Sequence, residues 1–251
     1  MVTIYGAKEI AAIRRASQVA AATLWAVGER LAPGVTTAQV DRWVREDTAR
    51  RGGRPSQLGY KGFPASVCTS RNEVVCHGIP RADEALRAGD IINLDVTTEV
   101  DGFHGDTSAT FCIGAVAATA AQLVETTRAA RDAGIAAVRP GARLGDVGAA
   151  IEAVAHGAGL GVVTAFTGHG IGRNMHEAPQ VQNTGRAGVG LRLRPGMVFT
   201  VEPMLTLGSP EIRVLADGWT VVTRDGRWTA QFEHTVCVTE DGVEVLTLVP
   251  A

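Results

Sequence analysis

The chain has 251 residues, enough for one large domain or two packed halves with a substantial core. Its net charge is −2 with 20% charged residues, so the composition offers no basic surface for nucleic acid. The longest apolar stretch near the N-terminus, residues 19–27, is too short to span a bilayer, and no secretory pattern accompanies it. We therefore expect a soluble cytoplasmic protein that binds neither nucleic acid nor membrane.

The sequence predicts two rounds of helix, helix and strands. The first round has a helix over residues 7–31 ended by Pro33-Gly34, a second helix capped by Thr36 or Thr37 and running to about Arg51, a loop over 52–64, and strands over 66–113. The second round has helices near 119–138 and 144–158, separated by Pro140-Gly141, and strands to the end. The four cysteines form no Cys-x-x-Cys pair, which favours reduced, buried thiols over disulfides or metal ligation.

Four features of this sequence recur at a spacing of 107 residues. They are Pro33-Gly34 with Pro140-Gly141, Val40 with Val147, the Leu-Arg-x-Gly segment at 86–89 with that at 193–196, and Asp95 with Glu202. A shared register at four points indicates a duplicated helix–helix–strand unit. Two repeats are too few for a solenoid, so we predict a single α+β domain over residues 1–251, with pseudo-symmetric halves at about 7–113 and 119–251 lining a central cleft.

Carboxylates in apolar strand-like segments are the strongest functional signal. Asp95, Glu202 and Glu233 lie in or beside such segments, and an isolated buried carboxylate costs several kcal/mol unless it is paired or binds a metal. A single buried acid is more often structural, and a lone histidine between two glycines, such as His169, is about as often a loop residue as a ligand. The combination favours a site, because two of these acids are related by the repeat.

A fourth carboxylate, Asp106, joins this set through a predicted hairpin. Asp101-Gly102 is a dipeptide favoured in two-residue turns, and such a turn places Thr97 opposite Asp106 and Asp95 diagonally from it. A bulge near His104-Gly105 would change that register. Four carboxylates with one imidazole suit Mn, Fe(II), Co or Zn ions, and two divalent ions would offset the repulsion between the acids.

Several segments of the chain resemble the type I methionine aminopeptidases of bacteria. These segments, which span nearly the whole chain, are Asn72-Glu73-Val74-Val75-Cys76-His77-Gly78-Ile79-Pro80, Leu94-Asp95-Val96, Asp101-Gly102-Phe103-His104-Gly105-Asp106-Thr107, Gly168-His169-Gly170-Ile171-Gly172, Val201-Glu202-Pro203-Met204 and Glu233-His234-Thr235. The resemblance implies a pita-bread fold, in which two pseudo-symmetric halves surround a curved antiparallel sheet and a dinuclear metal centre. It also implies that the enzyme removes the initiator methionine from polypeptides.

The resemblance assigns a role to each candidate site residue. Asp95 would bind one metal, His169 and Glu202 the other, and Asp106 and Glu233 would bridge the two. The nucleophile would be a water or hydroxide between the metals, with Glu202 as the proton shuttle. His77 and His176 match histidines near the scissile amide. From the residues alone, His77 could equally be structural, and His176 would have no assignment. His104, His156 and His234 are interpreted as structural or surface residues.

The resemblance also implies an apolar methionine pocket and a weaker monovalent-cation site. The pocket positions are Tyr60, Phe63, Cys68, Met175, Met204 and Trp219. This chain departs from the common pattern at Gln57, often Cys, at Phe63, often Tyr, and at Met175, often aromatic. Asn72, Val74 and Thr229 match positions that can hold Na⁺ or K⁺. The expected partners are N-terminal Met-peptides of nascent polypeptides near the ribosome, and we expect a monomer.

Two other readings remain open at this point. A Xaa-Pro aminopeptidase or dipeptidase shares the fold and ligands but usually carries a large N-terminal domain, whereas here residue 7 already begins the repeat. A non-catalytic pita-bread module that binds a partner protein or peptide is expected to lose ligands, and this chain keeps all five. A serine hydrolase is disfavoured because the chain has no Gly-x-Ser-x-Gly, and the glycines at 157–161 follow a predicted helix, which disfavours a dinucleotide site.

Overall fold

The computed structural model describes residues 2–249, which contain four α-helices, a short 3-10 helix (Tyr60–Gly62) and fifteen strands. The helices are α1 (Ala7–Gly28), α2 (Thr37–Arg50), α3 (Ala118–Ala136) and α4 (Leu144–Gly157). The strands are β1 (Arg54–Pro55), β2 (Cys68–Arg71), β3 (Val74–Cys76), β4 (Ile91–Val100), β5 (Phe103–Cys112), β6 (Gly161–Val162), β7 (Gly168–Gly170), β8 (Glu177–Val181), β9 (Val198–Val201), β10 (Met204–Thr206), β11 (Ile212–Val214), β12 (Val221–Thr223), β13 (Thr229–Gln231), β14 (Glu233–Val238) and β15 (Val243–Val245).

The helices form where the sequence predicts them. Helix α1 buries Ile13, Ala20, Leu24 and Val27 along one face, and it ends three residues before the predicted boundary. Helix α2 begins after Thr36, whose hydroxyl accepts a hydrogen bond from the backbone N–H of Gln39 at 3.2 Å. No helix within residues 2–249 has the length and apolarity needed to cross a membrane.

A nine-stranded antiparallel sheet forms the centre of the molecule. Its main path is β1-β4-β5-β14-β9-β7-β8, with β2 paired to β4 and β15 paired to β14. Two three-stranded sheets, β13-β10-β6 and β11-β12-β3, lie beside it. The central path joins the β4–β5 hairpin of the first half to strands of the second half, which confirms the predicted α+β class.

Repeat-related hydrogen bonds show that the two halves fold alike. The backbone N–H of Gly34 donates to Leu86 at 2.8 Å, and that of Gly141 donates to Leu193 at 3.0 Å. Isolated bridges join Thr36 to Ala85 and Arg143 to Arg192, again 107 residues apart. Helices α2 and α4 have the same length of 14 residues. The spacing found in the sequence therefore corresponds to equivalent turns in space.

The sheet separates an apolar side from a polar side. Leu94 and Val96 of β4 and Phe199 and Val201 of β9 belong to the main apolar core, which also contains Leu24 and Ile151 of the helices. Because side chains alternate along a strand, the intervening residues face the opposite side, where the cleft lies. Of the cysteines, Cys68, Cys76 and Cys237 are buried as expected. Cys112, the last residue of β5, is exposed, because its side chain projects from the strand end away from the core.

Candidate metal centre and substrate pocket

The five candidate ligands lie on five neighbouring strands of the central sheet. Asp95 is on β4, Asp106 on β5, Glu233 on β14 and His169 on β7, while Glu202 directly follows β9. These strands are consecutive in the sheet order β4-β5-β14-β9-β7. All five side chains line one cavity of about 390 Å³. The fold therefore brings together every ligand candidate that the sequence indicates.

The β4–β5 hairpin positions the first two carboxylates. Asp101 and Gly102 both have positive φ, 52° and 80°, as a type I′ turn requires. The register pairs Thr97 with Asp106 and continues without a bulge through His104 and Gly105. The predicted pairing is thus confirmed. In addition, the Thr97 hydroxyl donates to Asp106 Oδ1 at 2.8 Å and fixes that carboxylate.

His169 is held between two glycines because its strand packs closely on both sides. A Cβ on Gly168 would lie 2.4 Å from the Thr200 carbonyl oxygen, and one on Gly170 would lie 2.2 Å from that of Ala178. The Nδ1 atom lies 3.0 Å from the Gly170 carbonyl oxygen, which can only accept, so Nδ1 carries the proton. Nε2 is then free as a ligand atom, 3.5 Å from Glu202 Oε1 and 3.8 Å from Asp106 Oδ2.

The two glutamates differ in how their oxygens are satisfied. Glu202 accepts hydrogen bonds from the Thr200 hydroxyl at 2.7 Å and from Gln231 Nε2 at 3.4 Å. Glu233 Oε1 is buried and has no hydrogen-bond partner among the described residues. A buried carboxylate oxygen left without a partner is costly unless something else binds it, and a cation meets that need.

Burial strongly disfavours the charged forms of these acids in the metal-free protein. Burial, followed by the neighbouring acidic charges, raises the pKa of Asp95 and of Glu233 well above the usual values. The pKa of Glu202 rises to about 8 and that of Asp106 also rises, in both cases mainly through burial. The same burial lowers the pKa of His169 to about 4, so the imidazole is neutral and can act as a ligand.

The residues present fit divalent metal ions. Ligand atoms of Asp106, His169 and Glu233 lie within 4.8 Å of one another, close enough to share an ion after small side-chain movements. The donor set is oxygen-rich with one nitrogen and no thiolate, which suits first-row divalent ions. Metal ions would also neutralise the carboxylates that cannot all ionise without them.

Two further histidines lie at the same cavity. His176 Nδ1 is 3.0 Å from the Tyr60 hydroxyl, its ring stacks on Tyr60, and the ring centroid is 4.2 Å from that of His169. The ring of His77 meets Phe166 and Trp219 edge-on, at centroid distances of 5.2 and 6.2 Å. Burial lowers the pKa of His77, and burial lowers that of His176 to about 4. Both rings are therefore neutral hydrogen-bonding groups near pH 7.

An apolar recess adjoins the carboxylates. Its wall contains all six pocket positions named from the sequence: Tyr60, Phe63, Cys68, Met175, Met204 and Trp219. Phe63 and Trp219 meet at right angles with ring centroids 5.2 Å apart, and Met175 and Met204 are buried. Such a wall, with thioether sulfurs and aromatic edges, suits an unbranched apolar side chain.

Asn72, Val74 and Thr229 lie together, but outside the residues that line this cavity. The backbone N–H of Thr229 donates to the Asn72 carbonyl at 2.9 Å, and Val74 begins β3. The Asn72 side chain is tied to Asp90 and to the Ile91 backbone. Thr229 Oγ1 is buried and has no partner within residues 2–249, so an oxygen is available there for a cation.

Sequence reasoning missed several supporting contacts. Thr200 orients Glu202 and lies two residues from it, so the period-2 pattern could have identified it. The predicted hairpin already places Thr97, which orients Asp106, opposite that acid. Gln231 is two residues from Glu233 but belongs to the end of β13. Phe166 and the contact of Gln57 with Asp95 come from loops, where no periodicity predicts a neighbour in space.

The remaining histidines lie away from the ligand set. His104 Nδ1 is 2.8 Å from the Ser56 hydroxyl, and His234 Nδ1 is 2.8 Å from that of Thr247. His156 is exposed near the end of α4. None of the three is among the residues that line the cavity.

Comparison with known proteins identifies the class. Residues 11–240 match the model of metallopeptidase family M24, and the chain belongs to this family. The chain is 51% identical over 247 residues to methionine aminopeptidase A of Synechocystis, covering 98% of each chain. The crystal structure of methionine aminopeptidase from Rickettsia prowazekii superposes with a TM-score of 0.97 at 46% identity, covering 99% of this chain and 100% of that one. These matches confirm the pita-bread fold.

A more distant structure shows a likeness of fold. The prolidase from Pyrococcus furiosus matches with a TM-score of 0.79 at 19% identity. This chain covers 66% of that protein. The family resemblance inferred from the sequence motifs therefore agrees with the relatives that match over their whole length.

Proposed function

We propose that this protein is a methionyl aminopeptidase, a metal-dependent hydrolase that removes the N-terminal methionine from polypeptides. The observation that carries the proposal is the five-strand ligand set directly beside an apolar recess of methionine-like chemistry. The full-length similarity to methionine aminopeptidases supports it. Residues 1–251 act as one catalytic domain, since the two halves contribute ligands to a single centre.

Five residues of the chain would bind two divalent ions. Asp95 would hold one ion, His169 and Glu202 would hold the other, and Asp106 and Glu233 would contact both. When bound, the ions supply Lewis-acid chemistry that lowers the pKa of a water molecule and polarises the substrate carbonyl. The ligand types are compatible with Co, Mn, Fe(II) or Zn.

Glu202 transfers the proton, and His77 and His176 orient the substrate. Glu202 lies at the cleft among the other candidate ligands, where it would accept a proton from the attacking water and pass it to the leaving amine. The tautomer of His176 in which Tyr60 donates to Nδ1 leaves an Nε2–H to donate to the substrate. His77, whose ring contacts Phe166 and Trp219 in the same cavity, also donates to the peptide.

The apolar recess binds the methionine side chain. Phe63 and Trp219 form its aromatic edge, and Cys68, Met175 and Met204 supply polarizable sulfur. Tyr60 both lines the recess and contacts His176, so one side chain links the substrate pocket to the catalytic histidine. A separate monovalent cation, Na⁺ or K⁺, binds at Asn72, Val74 and Thr229, where the orphaned Thr229 hydroxyl supports it.

The physiological partners follow from this activity. The substrates are nascent polypeptides that begin with methionine, and the enzyme acts in the cytoplasm close to the ribosome as a monomer. The net charge of −2 supports a role that involves no direct binding to nucleic acid.

Steady-state turnover tests the proposed function. Protein reconstituted with Co²⁺, Mn²⁺, Fe²⁺ or Zn²⁺ is assayed on Met-Ala-Ser, Ala-Pro and Gly-Pro peptides, with bound metal counted in parallel. We expect methionine release from Met-Ala-Ser and little turnover of the proline peptides. Preference for the proline peptides would assign a Xaa-Pro peptidase instead. Failure to release methionine from any short Met-peptide, with metal bound, would favour a peptide-binding module.

A further inference from the structure

Gln57 fills a gap in the hydrogen-bond ladder along β4. Strand β1 pairs with β4 at Glu99 and Thr98, and β2 pairs with it from Asp95 to Ile92. Between these two partners the edge of β4 faces the loop that contains Gln57. The side-chain amide there donates from Nε2 to the Asp95 carbonyl at 2.9 Å and accepts from the Thr97 N–H at Oε1.

The same amide also contacts the Asp95 carboxylate. Nε2 lies 3.2 Å from Asp95 Oδ1, so one amide nitrogen donates to the backbone and to the side chain of a single residue. Gln57 is 6% exposed, and its amide is held in place by these contacts on β4. The orientation of the amide follows from its partners, because Asp95 offers two acceptors and Thr97 a donor.

We propose that Gln57 is a positioning residue that orients Asp95 for metal binding. The hydrogen bond occupies one lone pair of Oδ1 and fixes the carboxylate rotamer, which leaves the remaining oxygen positions directed into the cleft. Partners that orient a ligand from outside typically change metal affinity by about 10–100-fold. This inference rests on the proposed role of Asp95 as the ligand of one ion only.

The asymmetry of the site makes the effect specific to one ion. Glu202, the repeat equivalent of Asp95, is oriented instead by the Thr200 hydroxyl at 2.7 Å. Gln57 makes no hydrogen bond to His169, Glu202 or Glu233 among the described residues. Loss of the amide therefore weakens binding of the ion held by Asp95 and leaves the affinity for the ion held by His169 and Glu202 unchanged.

Metal titration of chelator-treated protein tests the inference. Isothermal titration calorimetry with Mn²⁺ compares the wild type with Gln57→Met, which keeps the volume and removes the amide. Gln57→Asn, which withdraws the amide by one methylene, serves if the first variant does not fold. We expect one of the two binding steps to weaken about 10–100-fold and the other to stay unchanged. Excess Mn²⁺ then restores kcat.

Ser56→Ala is the matched control for simple anchoring of the loop. Ser56 holds the same loop through its hydroxyl contact with His104 at 2.8 Å but contacts no candidate ligand. This variant should keep both metal affinities. Wild-type affinities in the Gln57 variants, or equal weakening of both steps, would overturn the positioning role.

Asp95→Asn separates this inference from the proposed function. If Asp95→Asn binds two Mn²⁺ ions as the wild type does, the assignment of Asp95 as a ligand fails, and the positioning role of Gln57 fails with it. If Asp95→Asn loses one ion while the Gln57 variants titrate normally, only the inference about Gln57 fails.

Discussion

At the scale of single residues, Asp106 and Glu233 are the acids that we propose to contact both metal ions. Asp106 is fixed by Thr97 on one oxygen and faces His169 with the other. Glu233 keeps one oxygen without a partner among residues 2–249. Both are almost completely buried, so neither is an ordinary surface acid.

We expect Asp106→Ala and Glu233→Ala each to abolish peptide hydrolysis and lower the bound-metal content. The loss should exceed the roughly 10–100-fold typical of removing an outer partner of a ligand, because each change removes a charge shared by two ions. Metal counting and turnover of Met-Ala-Ser measure both effects. Glu125→Ala, at an exposed acid of α3, is the control and should behave as wild type. Full activity in either site variant would refute the dinuclear assignment.

At the scale of elements, the position of the His169 side chain depends on how closely β7 packs between β8 and β9. Strand β7 pairs with β8 at Gly168 and Gly170, and with β9 at Gly170. The glycine positions let backbone carbonyls of these neighbours approach to distances that a side chain would occupy. The position of the imidazole is therefore set by strand packing as well as by its own hydrogen bond.

Gly170→Ala should displace β7 from β8 and impair the site. The new methyl group would meet the Ala178 carbonyl oxygen at 2.2 Å, and a backbone atom cannot move aside as a side chain can. We expect a lower Tm, a cost of about 1–3 kcal/mol, and reduced kcat. Gly157→Ala is the matched control, since its added methyl would meet no atom within 4 Å. Thermal unfolding and kinetics of both variants test the prediction, and equal behaviour of the two would contradict it.

At the scale of the whole molecule, the candidate metal ligands come from both halves of the chain. Asp95 and Asp106 belong to the first half, whereas His169, Glu202 and Glu233 belong to the second. The two halves meet in the sheet where β5 pairs with β14, at Ser108–Glu233 and Thr107–His234. Folding thus brings together acids from both halves that repel one another. This repulsion makes the free energy of unfolding depend on pH and on bound metal.

The metal-free protein should lose stability as pH rises from 6.5 to 8. The pKa of Glu202 rises from 4.5 to about 8 on folding, so the folded state keeps a proton that the unfolded chain releases. Each such buried acid costs up to about 1.4 kcal/mol per pH unit in this window. His169 and His176, whose pKa values fall from 6.5 to about 4, reduce stability only below pH 6.5.

Thermal unfolding between pH 6.5 and 8, with chelator or with Mn²⁺, measures this dependence. Mn²⁺ at 100 times its Kd should add about 2.7 kcal/mol to the free energy of unfolding and so raise the Tm. This stabilisation should grow with pH, because metal binding displaces protons. Glu233→Ala should show a smaller response to metal. A metal-free Tm that rises steadily from pH 6.5 to 8 would contradict the expected sign.

Local patterns were sufficient to predict the fold class and the ligand candidates. The turn chemistry of Asp101-Gly102 fixes the β4–β5 register, because that turn type admits one pairing of the flanking strands. The spacing of 107 relates Asp95 to Glu202, because each half repeats the same turns. Buried acids in apolar strands signal metal binding through the cost of burying charge.

The tertiary structure alone decided what surrounds those ligands. The order β4-β5-β14-β9-β7 is a non-local pairing that no window of sequence contains, and it converts five scattered residues into one centre. The position of Gln57 against Asp95 depends on a loop that fills a gap between two edge strands. Periodicity carries no information about such contacts, because they form between segments whose separation in the chain is closed only by folding.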